Sequence, residues 1–369
     1  MTNRTVGIKD VAAAAGVSVT TVSHVLNDVA YARVGAGTRE RVHQAAQRLG
    51  YGPNRLAQAL RTQRSGMIGF ISEEIATTPH AGRIILGAEE TARARGYRIM
   101  IINSTSTGSQ DSKESQVADL LDRQVDGILY ATMYHRKLTV PKNLAGLPAV
   151  LVDSEDISQS VSSVIPDEVG GARAAVQTLI DAGHTRIGML NNTDDVPATH
   201  SRLRAFKDTL ADAGLPFHEE LVQCEQSEVP GGYRAALRLL KPRSRPTAVF
   251  CYNDRMAMGA YRAAGELGLK IPDDISFVGF DNQQLIAANL YPALTTVALP
   301  HYEMGAWATE NLIDAIEGKT DLQLFAAHPT VLPCPLVLRD SVAALKPAAP
   351  KDEDASSKAA PDSLTSANT

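Results

Sequence analysis

A chain of 369 residues is too long for one hydrophobic core of ordinary size, so two or three domains are expected. Its composition (44% hydrophobic, 21% charged, 5% aromatic) is ordinary for a soluble α/β protein, and no apolar run approaches the ~18 residues that would suggest a membrane span. The net charge of −5 is uninformative as a total, but its distribution is not: residues 1–64 hold nine Lys/Arg against three acids, Asp10, Asp28 and Glu40, and the rest of the chain is acidic. A basic head on an acidic body suits a module that meets phosphate while the body stays soluble; a merely solvated basic helix pair is the plainer alternative. Cys224, Cys251 and Cys334 form no CxxC pair and read as buried thiols in a reducing cytosol. The opening MTNRTVGIKD lacks an apolar signal core, so a cytoplasmic, membrane-free protein is expected.

In chain order, Ile8–Ala15 reads as a short Ala-rich helix, and Gly16 supplies a turn residue that tolerates positive φ. Ser18 is placed to cap a second helix, Val19–Leu26. Val11, Ala15, Val17, Val22 and Val25 can pack between the two, and Ala12 and Ala15 allow close approach. This is helix-turn-helix grammar, whose second helix enters a DNA major groove. Val19, Thr20 and Thr21, with His24 one turn later, can reach base edges: Val19 a thymine methyl, Thr20 a donor or acceptor, His24 guanine or a phosphate. Ser18, Thr21 and Ser23 offer hydroxyls to phosphates. Spacing alone fits a small helical hairpin with ordinary polar exposure equally well.

From residue 66 to 340 a strand-then-helix rhythm follows. Met67–Ile71, Arg98–Ile102, Gly127–Tyr130, Ala149–Val152, Arg186–Leu190, Ala248–Cys251 and Ile275–Gly279 read as buried parallel strands. Ala81–Ala94 and Asp111–Arg123 read as helices, and Gly96, Gly183, Gly214 and Gly268 punctuate helix-to-strand returns. This much α/β sequence exceeds one doubly wound domain, so two lobes are expected. Residues 342–369, rich in Ala, Pro, Ser and charge, read as a disordered tail without a Leu heptad.

Ile8-Lys9-Asp10-Val11-Ala12, Ala15-Gly16-Val17-Ser18, Thr21-Val22-Ser23-His24-Val25-Leu26-Asn27, Thr38-Arg39-Glu40-Arg41-Val42, Leu49-Gly50-Tyr51 and Pro53-Asn54-Arg55-Leu56-Ala57-Gln58-Ala59-Leu60 resemble, in order and near-correct spacing, the start of the LacI/GalR family of bacterial repressors. Asn253-Asp254-Arg255-Met256-Ala257, Asp274-Ile275-Ser276-Phe277-Val278-Gly279-Phe280-Asp281 and Pro292-Ala293-Leu294-Thr295-Thr296 extend the likeness to about residue 340. The implied fold class is α/β: an all-α helix-turn-helix head (1–52), a hinge helix and linker (53–65), two Rossmann-like lobes of the periplasmic-binding-protein type crossed three times by the chain (66–341), and the tail (342–369).

The resemblance implies a sequence-specific transcriptional regulator, a repressor whose affinity for double-stranded operator DNA is set by a small effector, a sugar or nucleoside, held between the lobes. It implies DNA contacts from Ser18, Val19, Thr20, Thr21, Ser23, His24, Asn27 and Thr38, and a hinge helix, with Asn54, that folds when two copies pair over the operator. Leu60, assisted by Ala57, would wedge into the minor groove and bend the duplex; the alternative makes Leu60 a core residue of a short linker helix. The loop Asp28–Arg33 is about two residues longer than the family's, and Gly35 stands at a cap position commonly held by Ser, which puts that phosphate contact in doubt.

The resemblance implies effector contacts for Arg202, Asn253, Asp281 and Asp153. By position, His80, on the loop after the first strand, either touches the effector or is an exposed loop residue. Carboxylate, amide and guanidinium together suit vicinal hydroxyls, although Asn253 and Asp281 are equally placed to cap following helices. Trp307 lies on a helical pattern with Met304 and Leu312 and reads as core. No cofactor is implied, and a homodimer is expected. An enzyme would need a constellation such as a Walker loop, HExxH, GxSxG or a metal-spaced Cys/His set, and none is present. A secreted solute-binding protein shares the body but would need an export signal and no basic head.

Overall fold

A computed structural model describes residues 6–27, 29, 32–51, 64–78, 81–104 and 109–345. Residues 52–63, His80 and the chain from residue 346 onward lie outside them, so the readings of Asn54, Ala57, Leu60, His80 and most of the tail find no structural counterpart here. The tail expected from residue 342 begins later: Ala343 N–H donates to Ser276 Oγ at 3.2 Å and Leu345 N–H to the Ala182 carbonyl at 2.8 Å.

The head holds three helices, α1 (Ile8–Ala15), α2 (Val19–Leu26) and α3 (Ala36–Leu49). Helix α1 begins where the Asp10 carboxylate accepts the Gly7 N–H at 2.8 Å. It ends at Gly16, whose φ of 64° turns the chain so that Val17 N–H can bond back to Ala12. A side chain there would carry the left-handed penalty. Ser18 then caps α2, its Oγ accepting the Thr21 N–H at 3.0 Å. Gly35 caps α3 without a side-chain bond, and of the loop before it the described Val29 and Ala32 donate N–H bonds to His24 and Val29. Val11, Ala12, Ala15, Val22, Val25, Val42, Ala45 and Ala46 close the core.

The chain divides into two units, passing between them after Asp167, Leu299 and Pro333, with the short stretch Val196–Ala198 grouped with the first. Beyond the head, the first unit is built on a wholly parallel sheet of order β2-β1-β3-β4-β5-β11: β1 (Met67–Glu73), β2 (Arg98–Ser104), β3 (Gly127–Leu138), β4 (Ala149–Asp156), β5 (Ser162–Pro166) and β11 (Thr330–Leu332). Helices α4 (Gly82–Ala94) and α10 (His301–Ile316) pack on one face through Ile84, Ala88, Met304, Ala308 and Leu312. Helix α5 (Gln110–Leu121) packs on the other through Val117 and Leu120. Helices α4 and α10 meet backbone to backbone at Gly87 and Gly305: a Cβ on Gly87 would strike the Tyr302 carbonyl, and one on Gly305 the Ile84 carbonyl.

The second unit repeats the plan with order β7-β6-β8-β9-β10-β12: β6 (Ile187–Asn192), β7 (Val222–Glu225), β8 (Ala248–Cys251), β9 (Ser276–Asp281), β10 (Thr295–Ala298) and the antiparallel β12 (Leu336–Val337). Helices α6 (Glu168–Asp181) and α7 (Pro197–Asp212) cover one face through Ala172, Val176, Leu179, Phe206 and Leu210. Helices α8 (Val229–Leu240) and α9 (Asp254–Glu266) pack together, and Tyr261 of α9 meets Phe277 of β9 with ring centroids 5.4 Å apart. In both sheets the strand order reverses beside the first strand, between β1 and β3 and between β6 and β8. Open α/β sheets bind ligands beyond strand ends at such points.

Several expectations need correction. Arg98–Ile102 is not a buried strand: β2 lies at the sheet edge and alternates between half-buried and exposed, because only β1 pairs with it. Cys251 and Cys334 are buried, but Cys224 is exposed on the edge strand β7. Strand β3 runs to Leu138, well past Tyr130, with an irregularity in its pairing to β4 between Ala131 and Arg136. Strands β5, β7, β10, β11 and β12 escaped the sequence reading; all have five or fewer residues and, unlike the equally short but wholly apolar β8, they include polar residues or, in β12, only two residues. Trp307 is half-buried against the first core.

Candidate functional site

On α2 the residues expected to meet bases lie at its start and along one side. Ser18, Val19 and Thr20 are exposed, and Thr21, Ser23 and His24 are half-buried. Val19, at the first turn of the helix, is 40% exposed. The Ser18 and Thr21 hydroxyls lie 2.9 Å apart. Asn27 folds back as the C-cap, its amide donating to the Ser23 carbonyl at 2.7 Å. Thr38, in the first turn of α3, accepts from Arg41 Nη2 at 3.3 Å, which brings a cation beside the helix start.

In the second unit, Arg202, on the first half of α7, reaches the carboxyl edge of the sheet and is 3% exposed. Its Nε donates to Glu168 Oε2 at 2.6 Å and its Nη2 to Glu168 Oε1 at 3.2 Å. Nη1 donates to the Tyr252 carbonyl and lies 3.8 Å from Asp281 Oδ1. The guanidinium sits over the Phe280 ring at 3.7 Å and the Tyr252 ring at 4.5 Å. Burial disfavours its charge, but Glu168, Tyr252 and Asp281 more than offset this and hold its pKa above the ordinary arginine value.

Asp281 ends β9 with φ 100°, and Asn282 follows with φ 51°. Such conformations are costly outside glycine and cluster where a ligand dictates backbone geometry. The turn is pinned from behind: Gln283 N–H donates to Asp254 Oδ2 at 2.7 Å, and Arg339 Nη2 donates to Asn282 Oδ1 at 2.7 Å. Turns and not a helix follow Asp281, so it is not a helix cap; its Oδ2 accepts from Gln283 Nε2 at 2.9 Å. Asn253 is a cap. Its Oδ1 accepts the Met256 N–H at 2.8 Å, and its Nδ2 donates to the Ser227 carbonyl at 2.9 Å. Behind it Asp254 is fully buried, bonded by the Thr296 hydroxyl at 2.6 Å. Burial, with the nearby Asp281 charge, pushes its pKa up to about 8.

In the first unit, Asp153 is buried on β4 with φ 58°. Across the switch between β1 and β3 lies a cluster that sequence reasoning missed. Glu73, fully buried, accepts from the Tyr130 hydroxyl at 2.5 Å and pairs with Lys113 at 3.2 Å and with Arg136. Burial lowers the pKa of both Lys113 and Arg136, the latter opposed by Asp153, and raises that of Tyr130. Glu168 and Tyr252 were missed likewise. A usable signal existed: polar residues closing an apolar run, as in Ile71-Ser72-Glu73 and Leu190-Asn191-Asn192, or following it, as at Tyr252.

A helix-turn-helix head joined to two sheets of matching topology, with strained acids and buried charges at their carboxyl edges, defines a class: a DNA-binding regulator with an effector domain. Residues 7–54 match the bacterial regulatory proteins of the lacI family, and residues 176–342 match the periplasmic binding protein-like domain. The chain is 33% identical over 338 residues to the HTH-type transcriptional repressor PurR of Vibrio vulnificus, covering 91% of this chain and 98% of that protein. Among solved structures, the lac repressor dimer bound to operator and the anti-inducer ONPF superposes with a TM-score of 0.72 at 27% identity, covering 92% of this chain and all of that one. The transcriptional regulator CelR in complex with cellobiose gives 0.63 at 29% identity, covering 91% of this chain and all of that one. The protein belongs to the lacI family of bacterial regulatory proteins. Its relatives are transcriptional regulators and not enzymes. Among the described residues no helix is long and apolar enough to cross a membrane.

Proposed function

We propose that this protein is a cytoplasmic repressor that binds a near-palindromic operator as a homodimer and releases or tightens its grip when a carbohydrate binds the effector domain. The observation that carries the reading is the start of α2: a Ser18 cap that fixes the helix, with Val19 and Thr20 exposed beside it. Residues 1–52 read the major groove through Ser18, Val19, Thr20, Thr21, Ser23, His24 and Asn27, with Thr38 on the backbone. Residues 53–65 form the hinge, in which Asn54, Ala57 and Leu60 enter the minor groove. Residues 66–341 hold the effector, through Arg202, Asp281, Asn253, Asp153 and His80, and pair the two copies. The cellobiose of one relative's complex supports a sugar. So does a half-site of carboxylates and one guanidinium, which suits hydroxyls. Operator and effector binding are coupled reciprocally.

Leu60→Ser separates the two activities. Operator affinity, read by fluorescence anisotropy, is expected to fall by a factor of about ten or more, which is about 1.4 kcal/mol or more of lost wedge contact. The thermal shift given by an effector sugar stays at the wild-type value. Unchanged operator affinity removes Leu60 from the interface.

A further inference from the structure

The Nε–Nη2 edge of an arginine is the fork that grips a carboxylate or phosphate from two sides. In Arg202 that edge is already taken by Glu168, at 2.6 and 3.2 Å. Both partners are almost fully buried, so the pair is not loosened by solvent. The remaining nitrogen, Nη1, is held by the Tyr252 carbonyl and faces Asp281. One cation therefore stands among two carboxylates, and Asp254 behind them adds little further charge near neutral pH because burial favours its protonated form. The neighbouring strand end is short of donors in the same way. Asn191 and Asn192 close β6 with buried Oδ1 atoms that find no hydrogen-bond partner among the described residues, and Asn192 adjoins the Tyr252 hydroxyl. A buried acceptor left unpaired is costly until a donor reaches it. Hydroxyl groups can donate to such acceptors; a phosphate dianion or a carboxylate cannot.

We propose that Glu168 is the charge-selecting residue of the effector site: by occupying the fork of Arg202 it confines the site to uncharged, hydroxyl-rich ligands and rejects phosphorylated or carboxylated ones. This rests on the reading that Arg202 and Asp281 belong to that site. Removing the negative charge frees the Nε–Nη2 fork and leaves the buried guanidinium with Asp281 alone, at 3.8 Å, so an anion from solution takes the vacated place.

The test uses the full chain and inorganic phosphate as the probe, with sodium chloride at matched ionic strength as the reference. Wild-type protein is expected to melt at the same temperature in both salts. Glu168→Gln melts lower in chloride, and phosphate restores part of the loss, with a calorimetric affinity at least about tenfold above the wild type's. Glu168→Asp keeps the charge and stays unresponsive. Combining Glu168→Gln with Arg202→Gln abolishes the response, which places the anion on the guanidinium. A folded Glu168→Gln that ignores phosphate overturns the proposal. Should that variant fail to fold, wild type and Arg202→Gln still decide: phosphate stabilisation of the wild type that disappears with Arg202 contradicts the proposal, and its absence supports it. A wild type that answers to no neutral sugar sinks the carbohydrate reading instead, while the phosphate arms judge Glu168 separately.

Discussion

The two sheets carry charge clusters of opposite sign at their carboxyl edges. At the switch point of the first, a buried carboxylate, Glu73, stands between two cations, Lys113 and Arg136. In the second, at the carboxyl ends of β8 and β9, a buried guanidinium, Arg202, stands between two carboxylates, Glu168 and Asp281. Elsewhere the same strand ends and helix faces are filled with Val, Ile, Leu and Ala. Well-packed apolar residues are commonly as stabilising as a buried ion pair, or more so. Burying charge at the carboxyl edges of both sheets therefore serves recognition better than it serves the fold. The second cluster is the tighter: both of its paired side chains are about 5% exposed, against 14% for Lys113 and 18% for Arg136 in the first.

That difference sets the size of the expected effects. Arg202→Met strands Glu168 in a dry site and is expected to cost about 3–5 kcal/mol of unfolding free energy. Glu73→Gln keeps an acceptor for Tyr130 and leaves two cations that can turn toward water, so about 1–2 kcal/mol is expected. Urea melts of the two variants give the ratio, and equal losses would erase the distinction between the clusters.

A smaller effect separates Asp254 from its neighbours. Its folded pKa of about 8 lies above the ordinary 3.8, so the folded state keeps a proton that the unfolded chain has lost. Stability contributed by this group is therefore full below pH 3.8 and is lost progressively as pH rises toward 8. Asp254→Asn keeps the Thr296 and Gln283 partners without the ionisation. Its urea midpoint is expected to gain on the wild type across that window, by about 1–3 kcal/mol at the alkaline end. Parallel pH profiles would show that Asp254 ionises normally.

Much of this architecture was legible in the sequence, for local reasons. Gly16 and Ser18 fix the turn and start of α2 through their own backbone and side-chain chemistry, and runs such as Ala248–Cys251 declare a strand buried on both faces. What was not legible depends on distant partners. Nothing near Arg98 announces that β2 has one neighbour only, and nothing in the order of residues brings Glu168 against Arg202, 34 positions away. Asn253 and Asp281 show the same limit within the candidate site. Both follow strands and both suited a cap, yet one caps a helix and the other opens a strained turn held by Asp254, because only the first is followed by a helix.

In this reading the head recognises a two-fold DNA sequence under control of the body. Full-length protein mixed with a pool of random duplexes, taken through successive rounds of binding and sequencing, tests it directly. The expected result is enrichment of an inverted repeat whose half-sites change when Val19 and Thr20 are substituted, and whose retention shifts when the effector sugar is added. A pool that stays featureless, or a motif indifferent to those two residues, would contradict it.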